Sequence, residues 1–162
     1  MVQPQESAIT DGRDMTVKIE TTRFGTLEVT EDKIISMPSG MIGFGEYKRF
    51  IIVQHNADSP FFWYQAVDEP GLAFVLTNPN YFMPEYQAPP SVVKRETGWE
   101  GDLADSEDLE LYVTVRIPPD DPENMTANLI GPIVVNNKTM EAVQLVIAKS
   151  KYSHRHKILK KE

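Results

Sequence analysis

The sequence predicts an all-β, mainly antiparallel protein: one compact β-barrel-like domain with short helical turns in its loops. Three observations lead there. Short runs of alternating or β-branched and aromatic residues recur along the chain. Glycine, proline and asparagine clusters separate these runs at short, even intervals. No stretch sustains a helical period, so the architecture is a closed or nearly closed barrel, or a sandwich. A chain of 162 residues fits one domain. Its expected divisions are a disordered lead-in over 1–14, the barrel over 15–150 and a basic tail over 151–162.

Thr16-Val17-Lys18-Ile19-Glu20-Thr21 alternates polar and apolar, as a half-buried strand does, and Thr26-Leu27-Glu28-Val29 repeats the pattern after Gly25. Ile34 to Met37 is a short strand running into the turn cluster Pro38-Ser39-Gly40. Phe50-Ile51-Ile52-Val53 is a core strand by length, and Phe61 to Val67 is another, rich in aromatics. Pro70-Gly71 then supplies a turn before Leu72 to Thr77: proline presets φ and glycine accepts a positive φ. The prolines at 79, 84, 89 and 90 make the middle irregular, with one helical turn expected within Tyr81 to Tyr86. Glu100 to Glu110 is an acidic loop or short surface helix. Leu109, Leu111, Val113, Val115 and Ile117 share one face of a clear strand. Ala127 to Asn136 reads as strand, bend and strand, with the bend at Gly131-Pro132. Asn136-Asn137-Lys138 offers residues that tolerate positive φ in a hairpin, and Glu141 to Ile147 is the last strand.

Composition narrows the function. The apolar and charged fractions, 41% and 25%, are ordinary globular usage. The chain has no cysteine, which removes disulfides, thiolate metal sites and cysteine nucleophiles. Its first residues, MVQPQESAITDGRDM, lack the basic start and apolar centre of a signal peptide. No apolar run approaches the roughly 20 residues that span a bilayer, so a cytoplasmic location without membrane contact is expected. The net charge of -8 repels phosphates and argues against direct nucleic-acid binding. Lys149, Lys151, Arg155, Lys157, Lys160 and Lys161 against Glu162 give the tail +5, leaving -13 on the body. Such a body suits a partner with a basic surface.

Chemistry is scarce. His154 and His156 flank Arg155, and the surrounding cations disfavour a metal there. His55 stands in a polar loop. Gly40, Gly43 and Gly45 lack the lysine and following helix of a phosphate loop, and Ser39 lacks the strand-to-helix elbow of a hydrolase nucleophile. Asp102, Asp105, Glu107 and Asp108 are clustered, but their spacing matches no calcium loop. No catalytic, metal or cofactor site is expected.

The aromatics carry more. Phe61, Phe62, Trp63 and Tyr64 are consecutive, so a strand sends them to both faces. One pair fills a core; the other is either exposed or covered by another segment. Phe44 and Tyr47 follow a glycine-rich turn, while Tyr81, Phe82 and Tyr86 lie among prolines. Exposed aromatics of this kind mark interaction surfaces; a cavity lined by them would instead suit a carbohydrate or other small ligand.

Several fragments taken in order resemble the FliW family of bacterial flagellar assembly factors. They are Arg23-Phe24-Gly25-Thr26-Leu27-Glu28-Val29, Ile35 to Phe44, Pro60 to Val67 and Pro70-Gly71-Leu72-Ala73-Phe74. The most specific runs from Met125 to Asn136, followed by Ala142-Val143-Gln144. The sequence departs from the family at Met37, where phenylalanine is typical, and at Gly131, where Ala-Pro is more usual than Gly-Pro. The resemblance implies a compact barrel-like fold, no enzymatic activity and no cofactor. It also implies two partners: flagellin, and the carbon storage regulator, a CsrA-type RNA-binding repressor of flagellin translation. Flagellin would sequester the factor, and its export would free the factor to antagonise the repressor, acting as a monomer. On that footing Phe44, Tyr47 and Tyr81 are expected to face flagellin, and Asp102, Asp105, Glu107 and Asp108 the repressor.

Overall fold

A computed structural model describes residues 15–54, 56–99, 108–147 and 151–159. The lead-in, His55 and the acidic positions Asp102, Asp105 and Glu107 lie outside the described residues.

Eleven strands are present among the described residues: β1 Thr16–Thr21, β2 Gly25–Thr30, β3 Ile35–Ser36, β4 Arg49–Val53, β5 Phe61–Ala66, β6 Ala73–Thr77, β7 Leu109–Arg116, β8 Thr126–Ala127, β9 Ile133–Asn136, β10 Glu141–Gln144 and β11 His156–Lys157. Seven close a ring in the order β7-β6-β5-β4-β3-β10-β9, with β9 returning to β7. Every pairing is antiparallel except the single contact of β3 with β10. Strand β7 closes the barrel because its edge is shared. Its first half, Leu109 to Tyr112, pairs with β9, and its second half, Val115 and Arg116, pairs with β8.

Alternation decides what fills the ring. Ile35, Phe50, Tyr64, Leu76, Tyr112, Ile133 and Ala142, one from each strand, join Met37 and Met41 in a single buried cluster. Phe50 and Tyr64 stack with centroids 4.3 Å apart, and the Tyr64 hydroxyl donates to Met37 Sδ at 3.3 Å. Met37 therefore gives a buried hydroxyl an acceptor that a phenylalanine in its place would lack. The interior is occupied by side chains, the arrangement opposite to a ligand-holding barrel.

Two further layers cover the outside. The β1–β2 hairpin lays Ile19, Leu27 and Val29 over Ile51 and Val53. Trp63 packs into this layer, with the Arg23 guanidinium 3.9 Å from its ring centroid. The face of Leu109, Leu111, Val113 and Val115 points outward into a second cluster with Tyr86, Val93, Leu129 and Leu145; Ile117 is left exposed. The four consecutive aromatics are all accommodated this way: Phe62 and Tyr64 inward, Trp63 beneath the hairpin and Phe61 beneath the second layer. None is an exposed docking residue.

Three local expectations change. Pro89 and Pro90 do not merely break the chain, since an α-helix, α1, runs from Pro90 to Thr97. Proline at the first helical position loses no hydrogen bond and presets φ, and Gly98 at φ 77° caps the end by donating to Lys94 O. The helical turn expected within Tyr81 to Tyr86 sits slightly earlier, as a 3-10 turn at Pro79–Tyr81. In the β9–β10 hairpin the positive φ belongs to Met140, while Asn136 uses its side chain to accept from the Lys138 and Thr139 amides. Over its described part the basic tail is docked, with β11 paired to β8.

Burial raises the phenol pKa of Tyr64, Tyr86 and Tyr112; a neighbouring Tyr152 adds to the shift at Tyr86 and the Glu110 carboxylate to that at Tyr112. The fold thus favours the protonated phenols. Their contribution is complete below the unfolded phenol value of about 10 and is lost as pH rises above it. Of the six tyrosines, these three are expected to ionise only in a cooperative step with loss of near-ultraviolet circular dichroism. A smooth titration of all six with the dichroism intact would contradict this.

Candidate protein-binding surface

The chain between β3 and β4 caps one end of the barrel. Met37 and Met41 are inserted into the core, while Ile42 and Phe44 are 59% and 40% exposed. Glycine makes this bend feasible. At Gly40, φ is 65° and a Cβ would lie 2.6 Å from Gly45 Cα, so a side chain there meets both left-handed strain and backbone. The Phe44 amide donates to Met41 O at 2.7 Å, and the Phe44 ring rests edge-on against Phe74 at 5.3 Å. Gln144, at the end of the neighbouring β10, ties the loop to the Gly131 bend: its Oε1 accepts from the Ile42 amide at 2.8 Å and its Nε2 donates to Gly131 O at 3.0 Å. Two apolar side chains are thus held outward by a cross-linked loop.

Beside them lies a cleft of about 290 Å³ lined by Phe74, Thr114, Arg116, Thr126, Asn128, His154 and Arg155. Register explains its composition. Phe74 and Arg116 pair across β6 and β7 by continuation of Val75↔Val115, and Arg116 pairs with Thr126 across β7 and β8. Thr114 and Asn128 stand two residues further along the same face, where the Asn128 amide donates to Thr114 O at 3.0 Å. Because β11 is docked on β8, Arg155 reaches this face too. The two histidines are separated, with His154 in the cleft and His156 stacked on Phe82.

The expected partner residues divide between two ends of the barrel. Phe44 and Tyr47 stay together, the Tyr47 amide donating to Phe44 O at 3.2 Å. Tyr47 packs half-buried against the barrel cluster, and the carboxylate of Glu46, first among its neighbours, holds its phenol above the ordinary value. Tyr81 is 65% exposed but follows the C-terminal end of β6, whereas Phe44 packs at its N-terminal end. Asp108 is exposed at the Tyr81 end, where its carbonyl accepts from the Asn137 amide at 2.7 Å. Glu110 is exposed and accepts from the Tyr112 hydroxyl. Sequence reading passed over Ile42, Gln144, Asn128 and Arg116. An isoleucine among three glycines was the available signal for the first; the others needed strand register.

Among the described residues no helix is long and apolar enough to cross a membrane, and no three histidine or acidic side chains gather as a metal site.

A model of the FliW family, described as FliW protein, matches residues 18–158. The chain belongs to the FliW family. The flagellar assembly factor FliW of Leptospira biflexa is 37% identical over 145 residues, spanning 90% of this chain and 93% of its own. That of Magnetococcus marinus is 43% identical over 120 residues, spanning 74% and 72%. A crystal structure of the flagellar assembly factor FliW superposes with a TM-score of 0.79 at 29% identity, covering 90% of this chain and 99% of that one. The FliW match takes in the loop with Ile42 and Phe44, the cleft and the Gly131 bend.

Proposed function

We propose that this protein is a non-enzymatic, cytoplasmic flagellar assembly factor that binds flagellin and, when free of it, binds the carbon storage regulator to relieve repression of flagellin translation. The observation that carries the reading is a family match over residues 18–158 combined with two exposed apolar side chains on a cross-linked loop. An amphipathic helix of flagellin needs an apolar surface held in place, and Ile42 with Phe44 provides one. An acidic chain of net charge -8 speeds encounter with a basic RNA-binding protein and penalises acidic competitors. Ile42, Phe44 and Tyr47 face flagellin, and Tyr81, at the other barrel end with Asp108, falls outside that surface. The acidic run Asp102, Asp105, Glu107 and Asp108 faces the repressor.

Calorimetric titration with the carbon storage regulator of the same bacterium, repeated after saturation with flagellin, tests the switch. Tight binding abolished by flagellin supports it, and absence of binding to either protein overturns it. Reversing Asp105, Glu107 and Asp108 to lysine is expected to weaken repressor binding about tenfold or more at low salt and to flatten its salt dependence. Unchanged affinity across salt concentrations would remove the acidic run from the interface.

A further inference from the structure

The cleft beside Phe44 has a one-sided chemistry. Its polar side chains are Thr114, Arg116, Thr126, Asn128, His154 and Arg155, all able to donate hydrogen bonds, and no carboxylate is among them. Asn128 Oδ1 is already engaged by the Ile130 and Gly131 amides, which leaves its NH₂ as the free group. Ion pairs among the described residues join Lys18 to Glu28, Arg49 to Asp68 and Arg95 to Glu96; none involves Arg116, His154 or Arg155. In a chain of net charge -8, two guanidinium groups around one cleft with no acidic partner among the described residues form an electrostatic feature that a ligand can complete. Planar guanidinium forks match an oxyanion, and carboxylate is one they bind bidentately.

We propose that this cleft binds a carboxylate of a protein partner, borne by an acidic residue or a chain terminus that has apolar neighbours. Phe74 forms the apolar wall of the cleft and is the ring on which exposed Phe44 rests, so a peptide seated there meets cation and aromatic surface together. A polyanion is disfavoured by the acidic body; one carboxylate is enough to complete the donor set. The inference rests on the reading that the Ile42–Phe44 face docks a protein, and it assigns that partner an acidic group next to its apolar contacts.

The test follows backbone amide shifts of the ¹⁵N-labelled full chain on titration with three acetylated tripeptides. These are Leu-Leu-Glu amide, Leu-Leu-Leu with a free terminal carboxylate, and neutral Leu-Leu-Gln amide; inorganic phosphate is a fourth probe. Either carboxylate peptide is expected to shift Arg116, Thr126, Asn128 and Arg155, and which of the two does so separates side chain from terminus. The neutral peptide should bind at least tenfold more weakly. Arg116→Gln with Arg155→Gln should weaken the carboxylate peptide tenfold or more; Arg155→Gln alone serves if the double variant loses its dispersed spectrum. Equal shifts from the neutral peptide, unchanged affinity in the variants, or binding of phosphate but neither carboxylate peptide would overturn the proposal. A carboxylate peptide that seats while flagellin does not bind would overturn only the flagellin reading; flagellin binding unaffected by both arginine substitutions, with no peptide shift, would overturn only this one.

Discussion

Replacing Gln65 by glutamate is expected to destabilise the fold by about 3–5 kcal/mol at neutral pH, as a buried charge without a counter-ion does. Gln65 is fully buried on β5. Its Nε2 faces four backbone carbonyls, those of Ala66, Glu69, Pro70 and Leu72, at 3.1, 3.2, 3.2 and 3.2 Å. Oxygen in that place would confront four oxygens, so the amide orientation is dictated by its surroundings. Its own Oε1 has no partner among the described residues, and the site already carries one unsatisfied acceptor. A carboxylate adds a second, charged one. Such a group escapes by protonating, so its folded pKa rises above the ordinary glutamate value. The deficit is therefore small below about pH 4 and grows with pH, by about 1.4 kcal/mol per unit, until the folded pKa is passed. Denaturant titration across pH 4 to 8 reads this slope. Gln65→Leu is the control: the Glu69, Pro70 and Leu72 carbonyls keep the Leu72, Thr22 and Ala66 amides as donors. It should cost about 1–3 kcal/mol with no comparable slope. A glutamate variant as stable as wild type and flat in pH would mean that the β5–β6 turn tolerates a charge, and the account of Gln65 as its clamp would fall.

That clamp also shows what the sequence could convey. Phe50 to Val53, Phe61 to Val67 and Leu109 to Ile117 were legible as strands because their apolar, β-branched and aromatic residues leave few alternatives. Which face of β7 looks inward was not legible, since Leu109 to Val115 packs under a second layer and Tyr112 enters the barrel. A strand covered on both faces carries no sign of which side is the interior. Helix α1 was hidden by Pro89-Pro90, a pair that stops a preceding element and starts a following one with equal ease. The cleft was the least legible feature. Arg116, Asn128 and Arg155 come from three separate segments, and only the pairing of β7 with β8 and of β8 with β11 sets them on one face. Phe44 was found from its turn; Ile42, two residues away, was passed over because a lone exposed isoleucine is ordinary until a structure shows it cross-linked.

The double variant Ile42→Asp, Phe44→Asp is expected to lose flagellin binding by roughly 100-fold or more while remaining folded. Apolar side chains near the centre of an interface carry most of its free energy, about 2 kcal/mol or more each when truncated, and 1.4 kcal/mol is tenfold in affinity. An added carboxylate at each position must also be desolvated against the partner's apolar face. The stability cost is modest because Ile42 is 59% exposed and Phe44 gives up one edge-on contact with Phe74, worth about 1 kcal/mol. For a chain of this length that lowers the melting temperature by about 2–4 °C. The buried anchors of the loop, Met37 and Met41, and the Gln144 bridge are untouched. Tyr81→Asp, at the other barrel end, is the matched control and should leave flagellin binding within about twofold. Repressor binding distinguishes separate from shared surfaces: with separate surfaces it survives the Ile42–Phe44 change, and flagellin then displaces the repressor by altering the barrel between them rather than by occupying its site. If the double variant loses both partners, they share the capped end and direct competition is enough. If flagellin binding survives the double variant but not Tyr81→Asp, the docking face is at the acidic end, and the exposed loop has another purpose.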